Sequence, residues 1–161
     1  MAETTTKDAA ATGRLKAPRI LLALTAWPFV LVGLWATISP RGFYDSFPGL
    51  GRHWIDVDGP YNEHLVRDVG HLELAVAFVL VAAIVLGTRR LLQIGAVAAL
   101  VSGLPHLTYH AFNREGYDTG DQLASLGGLA LGVIFPFVVL YLTTRPQAAQ
   151  APAVPSASPP P

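Results

Sequence analysis

Residues 123–142 read LASLGGLALGVIFPFVVLYL, twenty consecutive residues without a charged side chain. A helix needs about 20 mostly apolar residues to cross a bilayer, and this run has that length. Residues 20–38 form a second uncharged run. Two shorter apolar runs lie between them. Residues 72–87 carry one charge, Glu73, and residues 91–107 carry none. Four such helices in a soluble protein would leave almost no polar face for water. The chain therefore reads as four membrane spans, about residues 20–38, 71–87, 91–110 and 122–143. The fold class that follows is all-α: a transmembrane four-helix bundle, with residues 39–70 as a structured outer loop between the first two spans.

Composition agrees with that reading. Of 161 residues, 52% are hydrophobic and 14% charged, against about 25% charged in soluble domains. Eleven basic residues balance eleven acidic ones, so no basic surplus points to nucleic acid. With no cysteine, disulfides and thiolate metal sites are excluded. No phosphate-cradling loop, dinucleotide fingerprint or GxSxG elbow is present. The basic flank before the first run fits a signal peptide. The run is longer than the usual h-region of about 7–15 residues, and Ile38-Ser39-Pro40 is no cleavage site, so it reads as an uncleaved span.

Charge placement predicts orientation. Lys7, Arg14, Lys16, Arg19, Arg89, Arg90 and Arg145 lie on one side of the four spans, with only Glu3 and Asp8 as acids. The other side holds Arg41, Arg52, Arg67 and Arg114 against nine acids. By the positive-inside rule the chain lies in the cell membrane with both termini cytoplasmic. Residues 1–18, rich in Ala and Thr, and residues 145–161, which hold six of the thirteen prolines, read as disordered tails. The domain between them is residues 19–144.

The outer loop is long for a helical bundle, where about 2–8 residues are usual. Ser39-Pro40 resembles a cap followed by proline at the first helical position. A short helix through Phe43, Tyr44 and Phe47 should lie along the membrane until Pro48-Gly49 stops it. With Trp54 and Tyr61 these rings read as an interfacial belt anchoring the loop at the headgroups. Asp58-Gly59-Pro60 suits a turn before the second long helix, which should begin near Tyr61.

All five histidines fall on the outer side. His106 and His110, four residues apart, share a helix face at roughly 6 Å. At 100° per residue His64, Asp68 and His71 fall within about 60° of one another, and Glu73 falls almost opposite His71. Hydrogen bonding across helices accounts for these histidines without a cofactor. Alternatively, His64, Asp68, His106 and His110 are the candidate ligands of a transition metal, and His64 with His106 those of a single haem b. Arg67, Asp68 and Asp121 are expected to form a polar clasp between helices. Gly128 and Gly132 form a GxxxG pattern suited to close helix packing, within the bundle or between subunits.

Three stretches, residues 47–54 (FPGLGRHW), 60–70 (PYNEHLVRDVG) and 103–106 (GLPH), resemble a group of small four-span actinobacterial membrane proteins of unassigned function. The resemblance covers roughly residues 18–144 and matches at His64, Arg67, Asp68 and His106. The group usually has a small residue at the position of His71, which weakens that histidine as a ligand. DoxX-like proteins are similar only in span count and size, which carries no function. The expected role is a non-enzymatic accessory or scaffolding component in the lipid bilayer, with a membrane-protein partner or a second copy. The alternatives are a metal- or haem-binding redox protein and, more remotely, a lipid- or quinone-modifying enzyme.

Overall fold

The computed structural model describes residues 15–145. Most of both predicted tails falls outside the described residues. Residues 15–18 do not: the first helix already begins at Lys16. Five helices follow in order: α1 (Lys16–Ile38), α2 (Pro40–Ser46), α3 (Glu63–Leu86), α4 (Arg89–Phe112) and α5 (Thr119–Thr144). Between α2 and α3 the chain forms a small antiparallel hairpin, β1 (Pro48–Gly49) and β2 (Arg52–His53), then a 3-10 turn at Asp56–Asp58.

Local chemistry sets the helix ends. The Asn62 side chain accepts from the Leu65 amide and starts α3. Gly87, at φ 63°, ends it in the left-handed conformation that glycine adopts without strain. Thr88 caps α4 and Asp118 caps α5 in the same way as Asn62. Pro40 occupies the first turn of α2, as the Ser39-Pro40 pair predicts. Residues 63–70, which precede the expected span, are the first two turns of α3, in keeping with a helix start near Tyr61. Once the Asn62 cap is made, nothing in that stretch stops a helix.

Four helices are long and apolar enough to cross a membrane. They form a ring in which α1 packs on α3 and α5, and α4 packs on α3 and α5. Short connections join α3 to α4 and α4 to α5, so neighbours run antiparallel. The outward faces carry large apolar side chains such as Trp27, Phe78, Val85, Val101 and Phe112, all well exposed. A lipid bilayer satisfies such a surface. The chain is a multi-pass membrane protein.

The larger buried core lies toward the α3–α4 turn. Leu22, Ala26, Leu80, Ala83, Leu92, Ala96, Ala99 and Val139 form one core there. Small residues let the backbones approach, because packing drives helix association in lipid. Arg89 reaches the α5 terminus, donating to the carbonyls of Thr143 and Arg145, and Gln93 donates to Thr143 as well. A second core, Ala36, Phe43 and Val66, lies at the other end, under the long loop.

At the crossing of α1 and α3 the backbones come close. A Cβ on Gly70 would lie 2.8 Å from the Thr37 backbone nitrogen. One on Gly33 would lie 2.8 Å from Leu74 Cγ. These two glycines, which have no GxxxG spacing, make the close contact expected of Gly128 and Gly132. At the latter pair an added Cβ meets nothing within 4 Å among the described residues.

Candidate functional site: a capped cavity

The loop between α1 and α3 folds down over the end of the bundle. Phe43 is buried, and its ring stands 5.9 Å from Trp35 and 4.9 Å from Phe47. Phe47 in turn meets Trp54, which meets Tyr117 on the α4–α5 connection. The expected interfacial belt is thus a row of rings crossing the end of the bundle. Their apolar area is better satisfied against one another and Val32 than against headgroups. Tyr44 and Tyr61 remain outside, edge to face, with the Arg41 guanidinium over the Tyr61 ring at 4.9 Å.

Polar bonds hold this cap in place. The Trp54 amide donates to the Phe47 carbonyl at 2.8 Å. The Tyr117 hydroxyl donates to the Trp54 carbonyl at 2.6 Å, across 63 positions of sequence. Arg52 pairs with Asp121 at the start of α5. Burial pushes the Tyr117 phenol up to about 12, and the negative charges of Asp58 and Asp56 add to that. It therefore remains a donor throughout the physiological range.

Beneath the cap, and above the tight core, lies a cavity of about 270 Å³. Phe29 and Val32 of α1 form one wall, and Phe47, Trp54 and Tyr117 the roof. Ser125, Gly128 and Gly132 line it from α5. The two GxxxG glycines thus face the cavity: without side chains they leave it open. Its polar groups are few. Glu73 comes from α3, and Ser102, His106 and His110 from α4. The two imidazoles bond to each other, Nε2 to Nε2 at 3.1 Å, so one ring donates and the other accepts. Glu73 is half-buried and makes no ion pair or hydrogen bond among the described residues, and the indole Nε1 of Trp54 is buried without a partner.

The candidate ligands from the sequence separate into two groups. His106 and His110 belong to the cavity. His64 and Asp68 sit one turn apart on α3, 3.5 Å from each other, with the His64 side chain 87% exposed. His71 is exposed too. Among the described residues, no three His, Cys, Asp or Glu side chains come together as a metal site. The expected clasp of Arg67 with Asp121 is replaced by two separate contacts. Arg67 bonds to Glu63 on its own helix at 2.9 Å and to the Thr37 carbonyl at 2.7 Å. Thr37 lies in the last turn of α1, where carbonyls lack helical partners, and a guanidinium satisfies one well. Asp121 takes Arg52 instead.

Sequence reasoning passed over Glu73, Trp54 and Tyr117 as site residues. For Glu73 a signal was present: an ionisable residue inside an apolar span is by default a functional candidate. Trp54 and Tyr117 carried no such signal, because their meeting depends on how two distant loops fold. No family model, curated protein or solved structure matches this chain. The kinship read from the three motifs therefore rests on those residues alone.

Proposed function

We propose that this is a non-enzymatic accessory protein of the cell membrane, with both termini cytoplasmic, whose loop-end cavity holds a small ligand with an apolar body. The observation that carries this reading is the capped cavity: mostly apolar walls with a few convergent polar groups are the ordinary form of a small-molecule site. A volume of about 270 Å³ holds roughly nine groups the size of water, at about 30 Å³ each. A non-enzymatic role is supported by the histidines, which bond to each other rather than activating Ser102 or Ser125.

The test uses the full chain in a neutral maltoside detergent, with neopentylbenzene as an uncharged apolar probe. Wild-type protein is expected to bind it and melt at a higher temperature. Gly128→Leu, which places a side chain in the cavity, is expected to fold but lose that shift. No shift in the wild type with any apolar probe of this size, charged or neutral, overturns the ligand-binding reading.

A second reading, a transition metal, is favoured by one distance. Two Nε2 atoms 3.1 Å apart are spaced as neighbouring ligands of a metal that each meets at about 2.0–2.1 Å. Glu73 lines the same cavity. The metal content and visible spectrum of the purified protein decide it. A folded, colourless and metal-free sample that takes up no added zinc or copper removes this reading.

A further inference from the structure

The cavity's polar groups are lopsided in charge. Glu73 brings a carboxyl group into the membrane-spanning part of α3, facing the cavity, with no partner among the described residues. Ionisable groups within a span are costly and pair with an opposite charge. No lysine or arginine lines the cavity. Its two histidines bond to each other, so the walls supply no fixed positive charge to Glu73. The walls supply aromatic faces instead, from Phe29, Phe47, Trp54 and Tyr117. Such rings attract an organic cation through their negative faces, and more strongly where water is excluded. The flanking segments at this end of the bundle add eight further acids against four basic residues. Asp56 and Asp58 sit close enough to Tyr117 to disfavour its phenolate. That field draws cations toward the cap and repels anions.

Resting on the ligand-binding reading above, we propose that the ligand is an amphipathic organic cation, an amine or quaternary ammonium with an apolar body. Its charge meets the Glu73 carboxyl group and its body lies among the aromatic walls. Such a cation has two sources: the ammonium headgroup of a membrane lipid, or a free lipophilic amine.

The experiment compares two probes of one shape on the full chain in maltoside. Benzyltrimethylammonium and neopentylbenzene differ only in whether the central atom is a charged nitrogen or a neutral carbon. Calorimetry is expected to find the cation bound at least about tenfold more tightly. Glu73→Gln keeps the side-chain shape and removes the charge. It is expected to cut cation affinity about tenfold and leave neopentylbenzene binding unchanged, while Glu73→Asp retains part of the preference. Equal binding of both probes to the wild type, or an unchanged cation preference in Glu73→Gln, overturns the cation inference and leaves the cavity reading standing. Binding of neither probe overturns both. Where the charge preference holds, added phosphatidylcholine or phosphatidylethanolamine separates the sources. Competition with the cation probe assigns a lipid headgroup, and its absence a free amine.

Discussion

Glu73 and His71 are two residues apart and lie nearly opposite each other on the α3 wheel. His71 meets the surroundings of the bundle, while Glu73 turns into the cavity. The angle between them was legible from helical geometry alone. What each side faced was not, because a wheel gives direction without a neighbour. Tyr117 makes the same point with a sharper consequence. Its hydroxyl latches the cap by a single bond to the Trp54 carbonyl. Tyr117→Phe is expected to cost about 1 kcal/mol, the usual net value of such a bond, read as a lower melting temperature in detergent. The latch also predicts a pH dependence. The phenol is raised from an ordinary value of 10.0 to about 12. Its stabilising contribution is complete below about pH 10, and it is lost as pH rises through about 12. A melting series over that window should show the loss in the wild type and not in Tyr117→Phe.

Among the elements, the crossing of α1 and α3 and the open stretch of α5 show how differently glycines act in one bundle. Gly70 sits against the Thr37 backbone, which has nowhere to retreat. Gly70→Ala is expected to destabilise by about 1–3 kcal/mol, the range for overpacking a filled site. Gly132→Ala faces open space and is expected to be neutral or slightly stabilising, since alanine is the better helix former by about 1 kcal/mol. Paired melting curves distinguish them, and the reverse order would place the close contact on α5. The GxxxG spacing on α5 marks no close contact within the bundle, because it records small residues on a face, not what the face meets. The α2 segment was better specified. Pro40 in the first turn starts a short helix although the Ser39 side chain makes no capping bond, but whether its aromatic rings lay on lipid or on protein depended on the bundle beneath them.

At the scale of the molecule, the four apolar helices, their antiparallel ring and the placement of charge belong together. A reporter that is active only outside the cytoplasm, fused after Arg145, is expected to be silent. The same reporter inserted at Leu50, the fully exposed residue of the loop hairpin, is expected to be active. The opposite pattern inverts the proposed topology and places the cavity at the cytoplasmic end.

Membrane residence and the number of spans were determined by sequence alone, because both depend on the length and polarity of local runs. Helix starts at Asn62, Thr88 and Asp118 were local as well, each a side chain capping an amide three residues ahead. The site was decided only by tertiary structure. A cavity is a place where packing stops, and nothing in a single helix marks that place. It needed α5 to present bare glycines, the cap to close over them, and α3 and α4 to bring Glu73 and the histidine pair into one space.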